Sequence, residues 1–242
     1  MIKEAIDRIL SLSKIRTFTK DDQTYTKDSI SRIKRPEQTA VLSLNLRNLA
    51  GLIDYIENIP ELHRDHLIMV IKSPVMVSLM SEINPVNDNT QFEFANAKME
   101  LEGFQFGGWH DLEGFIIQLL GKFEATPDRD GILEMLANLS NENVVDVNDN
   151  KFTQKLQVKT GLTTKANVEV KNPVLLKPFR TFREVNQPES NFVLRYRNDK
   201  RGGGGGGIEA ALFEGDGGRW QLEAIANIKA YLVQKVSIPV IG

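Results

Sequence analysis

The stretch that decides the fold runs from Leu176 to Trp220, LKPFRTFREVNQPESNFVLRYRNDKRGGGGGGIEAALFEGDGGRW. Inside it Phe192, Leu194 and Tyr196 alternate with Val193, Arg195 and Arg197. Successive side chains of a strand point to opposite faces, so this run predicts a β-strand with an apolar side and a cationic side. Ile208 to Phe213 can return beside it. Between the two lie six consecutive glycines, Gly202 to Gly207. No Lys-Ser or Lys-Thr follows them and no helix opens there, so they lack both parts of a phosphate cradle and read as a flexible hairpin loop. Glu214 to Gly218, EGDGG, reads as a turn before Trp220.

Upstream, Leu156 and Val158 alternate with polar residues, Gly161 sits at a turn, and Val168 and Val170 resume the alternation, which predicts a β-hairpin. Asn138 to Asn150 reads as a polar break. Before it the period is helical. Asp111 caps a helix whose stripe is Leu112, Phe115, Ile116, Leu119, Leu120 and Phe123, expected at the centre of the core. Thr126 and Pro127 open a second helix, with Ile132, Met135, Leu136 and Leu139 inward. Gln91 to Leu101 offers one or two strands. Ser73 and Pro74 read as a cap and first turn for a short helix facing inward through Met76, Leu79, Met80 and Ile83. Leu67 to Lys72, LIMVIK, is a buried strand. TAVLSLN, from Thr39, reads as a strand, and Asn45 as the cap of a helix that stops before Pro60. Downstream, Ile225, Ile228 and Leu232 mark a closing helix continued by Val236.

At the N-terminus Ile2, Ala5, Ile6 and Ile9 form one stripe of an amphipathic helix ending near Ser13. Thr17 to Gln38 reads as a polar extended arm. The expected organisation is residues 1–38 as helix and arm, and 39–242 as one domain with a weak subdivision near 150. The expected fold class is α+β: a mixed, mainly antiparallel sheet with packed helices, helix-rich in the N-terminal half and strand-rich in the C-terminal half.

Composition narrows the chemistry. The chain has 242 residues, 41% hydrophobic and 26% charged, a globular balance. Its net charge of -2 removes the long-range pull on polyanions, so nucleic-acid binding would need a local patch. With no cysteine, disulfides, thiolate nucleophiles and cysteine-ligated metals are excluded. The charged N-terminus is unlike a signal peptide, and no stretch reaches the roughly 20 apolar residues of a spanning helix. The expectation is a cytoplasmic protein with no membrane partner.

No candidate chemistry is complete. His63 and His66, with Glu61, Asp65 or His110, approach a metal set in spacing alone, and HRDH also reads as a turn. Asp146, Asn148 and Asn150 match the start of a calcium loop, but Lys151 and Gln157 stand where glycine and glutamate are needed, so a turn is expected. Glu184, Glu189, Glu214 and Asp216 are carboxylates that pair only if folding brings them together. No serine sits in a nucleophile-elbow setting. The one basic concentration is Arg180, Arg183, Arg195, Arg197, Lys200 and Arg201, interleaved with Phe179, Phe182, Phe192 and Tyr196, an arrangement able to hold an anion, a nucleic acid or another partner. No catalytic residue, cofactor or metal site follows.

The order Leu176, Pro178, Arg180-Thr181-Phe182, Glu184-Val185, Gln187-Pro188, Ser190, Phe192 and Arg195, then Ala211-Leu212-Phe213, Asp216-Gly217-Gly218 and Trp220, resembles the YfdQ-like family of phage and prophage proteins. Val70-Ile71-Lys72-Ser73-Pro74, Glu113-Gly114-Phe115-Ile116, Phe123 and Gln154 extend the resemblance over most of the chain from about Thr39. The glycine run departs from that pattern. The family has no assigned activity, so the resemblance implies a setting, a phage or prophage product in a bacterial cytoplasm, and no catalytic residue. The expected function is a non-enzymatic accessory protein that self-assembles into a homo-oligomer through the N-terminal helix and arm. The alternative is a nucleic-acid or nucleotide-binding protein of replication, recombination or anti-defence.

Overall fold

A computed structural model of the chain describes residues 3–4, 17–20, 23–26, 43–59, 64, 66–83, 91–100, 102–140, 144–149, 154–160, 163–169, 171–198 and 208–242. The chain divides into two compact units, Met1–Leu42 and Ser43–Gly242. In the first, Lys3 and Glu4 are helical, and the rest of the expected N-terminal helix lies outside the described residues. The expected arm contains a hairpin: β1 (Thr17–Lys20) pairs antiparallel with β2 (Gln23–Thr26), from Thr17↔Thr26 to Lys20↔Gln23.

The second unit runs β3 (Leu44–Leu46), α1 (Leu49–Glu57), β4 (Leu67–Ser73), β5 (Met76–Ser81), β6 (Glu93–Lys98), β7 (His110–Asp111), α2 (Leu112–Lys122), α3 (Pro127–Ser140), β8 (Val144–Asp149), β9 (Gln154–Thr160), β10 (Thr163–Glu169), β11 (Val174–Leu176), β12 (Ser190–Asn198), β13 (Ile208–Glu214), α4 (Trp220–Val233) and β14 (Val240–Ile241). The helices are scattered through this order, and seven strands, β1 to β7, precede α2. This overturns the expected helix-rich N-terminal half. The strands form four separate sheets among the described residues, in place of the single sheet expected.

The first large sheet has the order β14-β4-β5-β6-β3, with β14 parallel to β4, β3 parallel to β6, and the inner pairs antiparallel. In β4, Leu67, Met69 and Ile71 are buried while their neighbours are less so, the alternation of a strand with one core face. The Ser73-Pro74 reading fails. Met76 pairs with Ser73 across a tight hairpin, and the Ser73 hydroxyl accepts from Val75 N–H at 3.3 Å within that turn. Val77 and Leu79 are buried at a spacing of two, whereas Ile83, needed for a helical stripe, is 61% exposed. The cap of α1 is Asn48, whose side chain accepts from Gly51 N–H at 2.9 Å, not Asn45. Asn45 lies inside β3 and accepts from Asn96 Nδ2 at 2.8 Å.

Glu93, on β6, accepts hydrogen bonds from Lys72, Asn96 and Ser43. Burial raises its pKa, but these donors outweigh it and hold the group at about 2, below the ordinary 4.5. A depressed folded-state pKa contributes stability that is present above the unfolded value and is lost as pH falls through the folded one. Stability should therefore drop between pH 4.5 and 2, and Glu93→Gln should flatten that part of a urea-denaturation series. An unchanged slope in the variant would remove Glu93 from the acid response.

The second large sheet has the order β11-β12-β13-β7, antiparallel throughout. The opening strand pair is present, with Phe192↔Glu214, Leu194↔Leu212 and Tyr196↔Ala210 in register. Phe192, Leu194 and Tyr196 are buried on one face. They pack with Phe115 and Leu119 of α2 and with Ile132 and Leu136 of α3. Asp111 caps α2, accepting from Gly114 N–H at 2.7 Å, and Thr126 Oγ1 accepts from Arg129 N–H at 3.2 Å at the start of α3. The expected α2 stripe is too wide: Leu120 is 55% exposed, so only one edge of this helix faces the core.

The expected polar break is helix up to Ser140 and then β8, which pairs with β9 in a three-stranded sheet of order β10-β9-β8. Asp146 and Asn148 lie opposite Gln157 and Lys155 in that ladder, so the expected turn is a strand, and Asn150 lies outside the described residues. The closing helix, α4, ends at Val233, before Val236.

Candidate functional site

Two cores result. One lies under the four-stranded sheet, with Leu176, Phe192 and Phe115; the other lies against the five-stranded sheet, with Met69, Leu79, Phe182, Val185, Ile228 and Leu232. Residues 177–191 therefore leave the first core after Leu176, enter the second through Phe182 and Val185, and return to the first at Phe192. Four of their polar side chains are buried: Arg180, Thr181, Gln187 and Ser190. Burial is tolerable only where partners replace water.

Gln187 supplies partners to the turn. Its Oε1 accepts from Arg180 N–H at 3.0 Å and Thr181 N–H at 3.2 Å, and its Nε2 donates to the carbonyls of Phe182 at 3.0 Å and of Thr181 and Val185 at 3.3 Å. Thr181 Oγ1 donates to Pro74 O at 2.5 Å, tying the seam to the β4–β5 hairpin. Glu184 accepts from Leu49 N–H at 2.8 Å and Ala50 N–H at 3.2 Å, a second cap for α1 at the positive end of its dipole.

Arg180 joins the other half. Its side chain is 7% exposed, with Nη1 2.7 Å from Glu214 Oε1 and Nη2 donating to Ser190 Oγ. Ser190 Oγ donates in turn to Asp216 Oδ2 at 2.6 Å. Asp216 accepts from Gly218 N–H at 3.1 Å, within the turn that leads into α4. Gly217 and Gly218 have φ of 64° and 83°, the left-handed turn that folds the chain back onto Asp216. The guanidinium lies 4.2 Å from the Trp220 ring centroid and 5.6 Å from that of Phe192. Burial lowers the Arg180 pKa against the opposing charges of Glu214 and Asp216. Burial raises that of Asp216, but the bonds from Ser190, Gly218 and Trp220 and the Arg180 charge carry it below its ordinary value.

The six sequence-predicted cations do not form one row. Arg180 sits on the Phe192 side of β12, whereas Arg195 and Arg197 project from the other side, beside Val193. Arg183 stacks on Phe179 at 3.8 Å. Arg197 Nε donates to Glu209 at 2.6 Å, and its guanidinium lies 4.2 Å from the Trp109 ring centroid. Lys200, Arg201 and Gly202 to Gly207 lie outside the described residues. The period-two reading placed Phe192 and Tyr196 correctly with the core. It had no means of finding Trp109, which arrives from the turn before β7 and meets Phe213 edge-on at 6.2 Å.

Of the four carboxylates only Glu184 goes elsewhere, to α1; Glu214 and Asp216 gather around Arg180 and Ser190, and Glu189 shares the lining of a cleft with Asp216. His66 pairs with Glu82 at 3.4 Å, and His110 Nδ1 lies 3.0 Å from Gln118 Nε2; Glu61, His63 and Asp65 are outside the described residues. Among the described residues no group of three metal-binding side chains gathers, and no helix is long and apolar enough to cross a membrane. Beside the arginine network a cleft of ≈ 490 Å³ opens between the start of β12 and the start of α4. Together these features define a two-core α+β protein whose most distinctive residues join sheet to helix. No protein-family model, curated protein or solved structure matches the chain.

Proposed function

We propose that the chain is a non-enzymatic accessory protein that assembles with copies of itself, in the bacterial cytoplasm and the phage or prophage setting that its likeness to the YfdQ-like family implies. The observation that carries this is α4, which is apolar on two opposite sides. Ala224, Ile228 and Leu232 are fully buried, while Leu222 is 72% and Val233 58% exposed, with Ala226 and Ala230 exposed between them. A surface helix ordinarily presents polar residues outward. The outer stripe reads large, small, small, large, which suits an antiparallel copy of itself across a two-fold axis. The alanines lie where crossing helices come closest, and Leu222 and Val233 fill the gap where they diverge.

Light scattering should show an oligomer at micromolar concentration, and Ala226→Glu should shift it to smaller species without changing its circular dichroism. A carboxylate buried twice across the axis, at roughly 2 kcal/mol each, weakens association about a thousandfold. A native chain that remains a monomer ends this reading. A second reading, single-stranded nucleic-acid binding, is favoured by Trp109 and Phe213 sharing the outer sheet face with Arg195 and Arg197, rings and cations together. It requires salt-sensitive binding of oligothymidylate that weakens in an Arg195→Ala, Arg197→Ala variant, and equal affinity in that variant rejects it.

A further inference from the structure

We propose that the cleft beside Trp220 binds a neutral saccharide of one or two pyranose rings, a role separate from self-assembly. Its ≈ 490 Å³ falls within the range of small-ligand sites. Trp220 lines it half-buried, with Arg180 stacked on the ring from within the fold at 4.2 Å. The Arg180 guanidinium packed over the indole holds the ring in place before any ligand arrives. Ser190 and Asp216 also line the cleft, but their polar atoms are bound to each other and to Arg180, which makes them wall.

The polar side chains left to meet a ligand are Glu189, Asn191, Arg219 and Glu223, all exposed on the rim, with the apolar Leu175 beside them. They are planar polar groups, two of them acceptors only, one a donor only and one both. A pyranose ring matches this set: its C–H face packs on an indole, and each hydroxyl both donates and accepts. A phosphorylated ligand would face Glu189 and Glu223 with Arg219 as the only cation on the rim, and like charges in a cleft oppose binding. A polyamine would satisfy the carboxylates but would leave Arg219 opposed and the indole face without a matching surface.

The test uses tryptophan emission. The chain has two tryptophans, so Trp109→Phe leaves Trp220 as the sole indole reporter. Titration with chitobiose, cellobiose and maltose should give a saturable change for at least one of them, at about millimolar Kd. Adding Glu189→Ala and Asn191→Ala should weaken that binding about tenfold, since each removes a hydrogen-bonding group from the rim, with the melting temperature unchanged. Saturation-transfer difference NMR on the unaltered chain gives the same answer without the Trp109 substitution. No saturable response to any of the three sugars, a response to spermidine or inorganic phosphate alone, or undiminished binding by the rim variant overturns the proposal.

Discussion

Replacing Arg180 with alanine is expected to destabilise the second unit by about 2–3 kcal/mol, the loss of a buried cation's charged hydrogen bonds and ring packing, while Glu214 stays open to water. The substitution takes a cation from a site where Glu214, Ser190 and, through Ser190, Asp216 are arranged around it. It also empties the space over Trp220 and Phe192. Because Asp216 holds the turn that leads into α4, the effect should reach the helix as well as the pair. Arg180→Lys should recover little, since a single ammonium cannot hold Glu214, bond Ser190 and cover an indole together. In urea, the midpoint should fall with the slope nearly constant. A loss below about 1 kcal/mol, the level of an exposed ion pair, would show that the network does not hold sheet and helix together.

Gln187→Leu is expected to cost a similar amount, roughly 3 kcal/mol, although it removes no charge and keeps most of the volume. The leucine cannot accept from Arg180 and Thr181 N–H or donate to the carbonyls of Phe182 and Val185, and a buried polar group without a partner costs about 1–3 kcal/mol. Gln187→Glu gives a signed control. Its carboxylate retains the acceptor but loses the donor and places a charge where Gln187 is buried. Burial raises the folded-state pKa of such a group, so the variant should be most stable at low pH, where the acid is protonated and donates, and should weaken as pH rises through that pKa. Equal stability of Gln187→Leu and the native chain across denaturant would mean that water serves the turn as well as the amide does.

Local patterns were legible wherever one segment carried its own signal. The period of two in β12, the β9–β10 hairpin and the caps of α2 and α3 all follow from residues a few positions apart. The misreadings arose where a local signal had two outcomes. Ser73-Pro74 followed by Met76, Leu79 and Met80 satisfies a helix start as well as a tight turn into a strand, and pairing with β4 and β6 chose the strand. Asn45 and Asn48 are both good caps; only the one beyond β3 has its side chain free to turn back on Gly51. The site was less legible. Six cations looked alike in sequence, and nothing local distinguishes Arg180, which lies between two cores, from Arg197, which lies on an outer face.

The residues of Leu176 to Trp220 by themselves determined a strand, a return strand and a turn before Trp220, because side-chain alternation and turn chemistry act over two to four positions. Only the tertiary structure decided what Arg180, Gln187, Ser190 and Asp216 do. Arg180 meets Gln187, Ser190 and Glu214 at separations of 7, 10 and 34 residues, and 26 residues separate Ser190 from Asp216. Whether a polar side chain at such distances is a solvated charge or the buried link between a sheet and a helix depends on which surfaces close over it, and that is set by the packing of both cores at once.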